Sequence, residues 1–423
     1  MDIKLKYGDA YQMMSIDDTQ YSVDVIEPNL SPGISGNLYD IASETIKSPM
    51  GQFTWSNISP SSTKSIAIAI NDKTRPVPHE ILLPPLLDHL KALGFTPDCI
   101  TFFIATGTHI PMPEEEFTRI LPLEIINNYR IISHDCDDDS NLISLGKTSS
   151  NTPVSVNKAF YNADLKFVVG NIEPHHFMGF SGCNKSASIG MTSRTTINQN
   201  HTFITSEKAK VGIYDDNPMR QDVEEIGKMI GVHAAWNVIM NTDRDIVHFL
   251  FGEPVPTMKK GVDLCRKVYE TPVNQKYELV IASVGGFPKD INFYQAQKAF
   301  THAALLTKQG GTVILCAECR EGSGSASYER FVSQYESYAE ALTAFEKVPF
   351  EIGPHKAYQV AKLLEQVEFT LVSDISPTLA SKLHFNADQN LQDVINRALN
   401  KLPDNISIAI LPKAINTIPV HQG

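Results

Sequence analysis

Ser65-Ile66-Ala67-Ile68-Ala69-Ile70 is a short apolar run that stops at Asn71-Asp72. Pro76 and Pro78 punctuate the turn that follows, and Glu80 to Leu93 then takes up helical spacing. A run this short, bounded by turn residues and followed by an amphipathic helix, reads as a buried strand feeding a crossover.

The same rhythm repeats on either side. Cys99 to Ala105 is a second strand, followed by Thr106-Gly107-Thr108-His109, and Pro113-Glu114-Glu115-Glu116 carries the acidic residues of a helix start. Tyr129 to Ser133 follows, then Leu165 to Gly170 running into Asn171-Ile172-Glu173. Leu279 to Ser283 ends at Val284-Gly285-Gly286, and Thr312 to Cys316, Phe369 to Ser373 and Ile406 to Leu411 close the set. Buried strands with helical crossovers mean α/β layers and largely parallel sheets. The expected fold is two Rossmann-like α/β domains with an active-site cleft between them. Residues 1–270 form the N-terminal domain and 271–423 the C-terminal one, with the boundary between about Pro256 and Tyr277. Ligands in such folds sit beyond the carboxyl ends of the strands. The turns at Asp72 to Arg75, His109, Glu173 to His176 and Gly285-Gly286 fall at those ends.

Composition narrows the function. The 423 residues suggest two or three domains at roughly 150 residues each. A net charge of -12 argues against a nucleic-acid binder, which needs clustered Lys and Arg on phosphates. Met1-Asp2-Ile3-Lys4-Leu5-Lys6 opens no apolar leader, and no apolar stretch reaches the roughly 18 residues of a membrane span. Six cysteines are too few for a disulfide scaffold, and Cys316 and Cys319 form a lone CxxC best taken as core thiols. These features fit a cytoplasmic enzyme.

Thirteen histidines are present, and His79, His89, His233, His248 and His421 need no role. His109, His175, His176 and His201 each lie near a turn beside Gly, Pro or Asn. The densest segment is Asn171-Ile172-Glu173-Pro174-His175-His176-Phe177-Met178-Gly179-Phe180-Ser181-Gly182-Cys183-Asn184-Lys185-Ser186. It joins an acid, two imidazoles, close-approach glycines and a lysine. Asn184 precedes Lys185, so this is not a phosphate-binding Gly-Lys-Ser loop. A lysine beside glycines and histidines suits covalent attachment.

Asp72-Lys73-Thr74-Arg75-Pro76-Val77-Pro78, Ala105-Thr106-Gly107-Thr108-His109, the Glu173-to-Ser186 segment, Asn200-His201 and Tyr294-Gln295-Ala296-Gln297-Lys298 together resemble the nickel-pincer lactate racemase family. They occur in that family's order and close to its spacing, across about Ile66 to Ser373. The resemblance implies a racemase or epimerase of a small 2-hydroxy acid. It implies a pyridinium-derived nickel-pincer nucleotide bound through a thioamide to Lys185, with Asp72 and Tyr294 as further cofactor contacts and His201 as protein ligand to nickel. Sulfur and imidazole in a square-planar set suit nickel. The two acid–base histidines fall on His109 and His175, with His176 a spare. Arg75, Gln295 and Lys298 match the substrate-binding positions, and a guanidinium grips a carboxylate through two parallel bonds. Hydride passing to the cofactor through a 2-keto acid avoids a carbanion, and one base per enantiomer requires two histidines. Enzymes that make the cofactor are implied partners.

The chain departs from the family around the substrate. Gly182-Cys183-Asn184 stands where the lactate enzyme often has Gly-Gly-Arg, Thr108 and Ile110 flank His109 in place of an aromatic and a basic residue, and His355-Lys356-Ala357-Tyr358 occupies an aromatic-bearing segment. The substrate therefore extends to a larger hydroxy acid, one with a second carboxylate, or a sugar acid. Two other functions fit the residues: a zinc-type enzyme binding its ion directly through His109, His175 and His201, and a non-catalytic hydroxy-acid or nucleotide binder. A pyridine-nucleotide dehydrogenase fits poorly, since no strand–GxGxxG–helix unit is present.

Overall fold

The computed structural model describes residues 1–347 and 353–421. The chain divides into two compact units, Leu30–Val268 and Met1–Asn29 together with Tyr269–Gly423.

The first unit is built on a six-stranded sheet. Its order is Ile246–Gly252, Ala234–Met240, Leu165–Asn171, Ile66–Asn71, Ile100–Ala105, Arg130–Ser133. All neighbours are parallel except the first pair, which is antiparallel. Ile66 to Ile70 are all at most 1% exposed, so both faces of the strand are covered and the run shows no alternation. The helix His79–Ala92 buries Leu82, Leu83, Leu86 and Leu90 in the same core cluster as Ile66, Ile68 and Ile70. Leu165–Asn171, Ile66–Asn71 and Ile100–Ala105 are adjacent and parallel, so their carboxyl ends share one sheet edge. That edge carries Asp72, His109 and His175.

The second unit holds an all-parallel sheet in the order Asn386–Asp388, Glu368–Val372, Thr307–Cys316, Tyr277–Ser283, Ser407–Leu411, Ser22–Val25. Its last strand comes from the start of the chain. This corrects the expected boundary of 1–270, because the first 29 residues belong with the C-terminal unit. Two contacts explain the assignment. Ser22–Val25 supplies the edge strand, and the hairpin Asp2–Tyr7/Ala10–Ser15 buries Leu5, Tyr7 and Met14 against Leu279, Ile281, Ile314 and Ile408. The later junction, between Val268 and Tyr269, falls inside the expected interval.

One local expectation also changes. Glu114–Arg119 is a 3-10 helix and not the start of an α-helix. Cys316 and Cys319 are free, buried thiols, as core packing requires. Among the described residues, no helix is long and apolar enough to cross a membrane.

Candidate active site

Asp72 opens the turn after the central strand and is nearly inaccessible to solvent. Its carboxylate accepts the Thr74 backbone N–H at 3.0 Å and the Thr74 hydroxyl at 2.7 Å on Oδ1, and meets His109 Nδ1 at 2.6 Å on Oδ2. Burial works to raise its pKa, but the hydrogen bonds from His109 and Thr74 outweigh it and hold Asp72 ionised, below the usual carboxylate range. An ionised carboxylate at Nδ1 makes that nitrogen the donor. Nε2 of neutral His109 is therefore the nitrogen with the lone pair. The imidazole is exposed, so Nε2 is accessible.

His175 has the opposite arrangement. It sits in a tight hairpin, Pro174–His175 paired with Gly179–Phe180, where its Nδ1 accepts the Met178 backbone N–H at 3.3 Å. Neutral His175 then carries its proton on Nε2. Desolvation, followed by the charges of Lys185, Arg75, His176 and His201, keeps it well below the ordinary histidine value. The hairpin needs glycine at its return: Gly179 has φ +73°, and a Cβ there would lie 1.8 Å from the Ile213 carbonyl oxygen.

Lys185 starts the short helix Lys185–Ser188 and is half-buried. Desolvation, then the guanidinium groups of Arg75 and Arg220, push its ammonium down to about 7, with Glu173 opposing. A large part of the amine is therefore neutral at neutral pH. His201 ends the helix Arg194–His201 and donates from Nδ1 to the Ile197 carbonyl at 2.8 Å, which assigns the lone pair to Nε2. Burial lowers it to about 4, so the ring is neutral and suited to a metal. Arg75, His175, His176, Lys185 and His201 lie in one neighbourhood of the first unit, close enough for the charge of one to disfavour charge on another.

Tyr294, Gln295 and Lys298 lie on the second unit, at the start of helix Phe293–Leu306, where the spacing turns them to one side. The Asn292 side chain caps this helix by accepting the Gln295 N–H at 3.1 Å. The Lys356 ammonium lies 4.7 Å from the centre of the Tyr294 ring.

The structure does not support a directly bound zinc ion. Among the described residues, the only group of three His, Cys, Asp or Glu with ligand atoms within 4.8 Å of one another is Asp135, Cys136 and Asp137. His109, His175 and His201 do not form such a group. A lysine-tethered group with a single protein ligand fits better. It needs a neutral amine and one imidazole with a fixed lone pair, and Lys185 and His201 supply them.

The charged groups beneath the loop from Phe180 to Lys185 were not singled out in the sequence. Arg220, Asp222 and Glu224 are all buried. Arg220 and Glu224, at i and i+4, look like an ordinary solvated helix pair, and Asp222 lies about half a turn away on the other side of the helix.

Residues 7–212 match the family description "lactate racemase N-terminal domain", and residues 273–419 match "lactate racemase C-terminal domain". The chain is 28% identical to a lactate racemase of Lactiplantibacillus plantarum, over 98% of this chain and 99% of that one. It is also 28% identical to a lactate racemase of Thermoanaerobacterium thermosaccharolyticum, over 88% and 91% of the two chains. Its fold superposes on the lactate racemase apoprotein of T. thermosaccharolyticum with a TM-score of 0.88 at 24% identity, covering 99% of this chain and all of that one. A Thermotoga maritima protein shares the fold more distantly, with a TM-score of 0.63 at 14% identity over 91% and 97%. With both halves matched and full-length relatives on each side, the chain belongs to the lactate racemase family of isomerases.

Proposed function

We propose that the protein inverts the α-carbon of a 2-hydroxy acid, with a nickel-pincer nucleotide tethered to Lys185 and its nickel bound by His201. The observation that carries this proposal is Lys185 itself. A half-buried lysine with its amine pushed down to about 7, in the charge field of Arg75 and beside His175 and His201, is primed for covalent attachment. When bound, the group would supply a hydride acceptor that takes the α-hydrogen and returns it.

The chain's own residues handle the protons and the orientation. His109 Nε2 takes the hydroxyl proton of one enantiomer, while Asp72 stabilises the imidazolium across Nδ1. His175 enters on the family resemblance as the acid–base group for the other enantiomer, and in its neutral state Nε2–H donates a hydrogen bond to the substrate oxygen. The proton held on the His109 imidazolium is the one returned to the oxygen after the planar ketone reorients, so the cycle consumes none. Arg75 pairs with the substrate carboxylate. Gln295 and Lys298 as further substrate contacts, and Asp72 and Tyr294 beside the cofactor, enter on the family resemblance. So do the cofactor-making enzymes as partners, whereas a cytoplasmic location is proposed from composition.

The named relatives act on lactate. Thr108 and Ile110 beside His109, and Lys356 near Tyr294, widen the candidates to larger or dicarboxylic hydroxy acids and sugar acids. The test is to incubate single enantiomers from each class in D2O with protein made alongside the cofactor pathway, then separate the products on a chiral phase. The expected result is inversion in both directions with the α-hydrogen retained. No inversion of any class sinks the proposal, and full α-deuterium incorporation sinks the hydride route.

A further inference from the structure

Helix Pro218–Ile230 turns Arg220, Asp222 and Glu224 into the protein, none of them more than 7% exposed. Arg220 donates from Nε and Nη2 to Glu224 Oε1 at 2.9 and 2.6 Å. Its remaining donors reach the loop that ends in Lys185: Nη1 to the Phe180 carbonyl and Nη2 to the Gly182 carbonyl, each at 3.2 Å. Glu224 in turn accepts the Asn184 amide on Oε2 at 2.7 Å and the Tyr214 hydroxyl on Oε1 at 3.1 Å. One turn further on, Gly227 leaves the space Asn184 fills, since a Cβ there would lie 2.3 Å from the Asn184 side-chain carbon. The Ser188 hydroxyl closes the seat by donating to the Val223 carbonyl at 2.7 Å.

The same helix grips a second element. Asp222 accepts the Asn200 amide at 2.8 Å and the hydroxyls of Thr148 and Thr152 at 2.7 and 3.0 Å. Asn200 also donates to the Met219 carbonyl at 3.0 Å. Asn200 immediately precedes His201 in the helix Arg194–His201. A buried ion pair adds little net stability over apolar residues of the same size. Its contribution here is direction: Arg220 and Glu224 reach Phe180, Gly182 and Asn184 in the loop before Lys185, and Asp222 reaches Asn200 beside His201 as well as Thr148 and Thr152.

We propose that helix Pro218–Ile230 sets the position of Lys185 relative to His201: Arg220, Glu224 and Gly227 seat the loop of Lys185, and Asp222 seats the helix of His201. These are positioning residues, and the inference rests on Lys185 as tether and His201 as nickel ligand. It predicts a separation of effects. Disturbing the loop seat changes Lys185, and disturbing the Asp222 seat changes what His201 holds.

The test compares Asn184→Ala, Gly227→Ala and Asp222→Asn with wild type, each checked as folded by circular dichroism. The apoproteins are acetylated with acetic anhydride across pH, and the Lys185 peptide is followed by mass. Arg75, Arg220 and Glu173 face this amine, with His175 and His201 nearby. Protein made alongside the cofactor pathway is then measured for the Lys185 adduct and for nickel.

In Asn184→Ala and Gly227→Ala the acetylation midpoint moves up and the adduct falls about 10-fold, whereas Asp222→Asn keeps both and loses nickel about 10-fold. General destabilisation would instead lower adduct and nickel together in all three and leave the midpoint of the folded protein unchanged. That pattern, or wild-type values throughout, overturns the inference. If wild type itself carries no adduct, the tether proposal fails. The acetylation arm then decides alone: a midpoint moved by Asn184→Ala and Gly227→Ala but not by Asp222→Asn upholds the loop seat, and any other result removes it.

Discussion

His109 Nδ1 lies 2.6 Å from Asp72 Oδ2, and this one contact sets which nitrogen of the imidazole faces outward. The carboxylate is buried and held ionised by three donors, so it fixes the ring's tautomer as well as its orientation. His175 has its Nδ1 against a backbone N–H, which sets the opposite tautomer.

Asp72→Asn removes the charge but keeps the size. An amide presents either its oxygen or its NH2 to His109 and gives no charge to stabilise the imidazolium. Turnover falls by about two to four powers of ten with KM little changed. Steady-state kinetics on a 2-hydroxy acid checks this, and wild-type kcat would refute the positioning role. His109→Ala and His175→Ala lose comparable turnover while the Lys185 adduct persists, measured by intact mass.

Gly179→Ala distorts the hairpin that carries His175. Its φ is +73°, and the new methyl would meet the Ile213 carbonyl at 1.8 Å. The backbone strain and the forced shift cost about 1–3 kcal/mol. A lowered melting temperature with reduced turnover is expected. An unchanged melting temperature would mean the hairpin accommodates a side chain.

The buried imidazole of His79 makes stability depend on pH. The ring is 1% exposed, and desolvation lowers its folded value from 6.5 to about 4, despite Nδ1 donating to the Ile120 carbonyl at 2.9 Å. Between those values the unfolded chain takes up a proton that the folded one refuses. Stability is therefore full above pH 6.5 and falls as pH drops toward 4, by up to about 1.4 kcal/mol per pH unit from this group. Urea titrations of His79→Gln should show a shallower acid slope than wild type. Parallel slopes would remove His79 as a contributor.

Cys183 adjoins buried Asn184 in the loop before Lys185, but burial raises its thiol far above the ordinary range, with Glu224 adding to the effect. Without thiolate there is no nucleophile. Iodoacetamide at pH 8 should leave Cys183 unlabelled in the native protein and label it after denaturation. Rapid native labelling would give this cysteine a chemical role.

The centre of each sheet was legible because buried parallel strands are nearly pure apolar runs, as at Ile66 to Ile70 and Leu165 to Gly170. The edges were not. Ser22–Val25 alternates polar residues and pairs with a strand near the other end of the chain, a contact no local pattern encodes. Glu114–Arg119 kept the acidic signature of a helix start but formed only 3-10 turns, and the next helix, Leu123–Asn128, begins just beyond Pro122. In the site, Lys185 and the histidines were visible through their turns and glycines. Arg220, Asp222 and Glu224 were not, since an i, i+4 Arg–Glu pair and a lone Asp read the same in a helix whether buried or exposed. Asp72 was expected beside the cofactor, and its side chain is engaged with His109 and Thr74.

The most direct measurement is intact and peptide mass with nickel analysis on wild type and Lys185→Ala, both made alongside the cofactor pathway. The predicted result is one adduct on Lys185 with about one nickel per chain in wild type, and neither adduct nor stereoinversion in Lys185→Ala. An unmodified Lys185 in a preparation that inverts a 2-hydroxy acid, or full activity in Lys185→Ala, would contradict it.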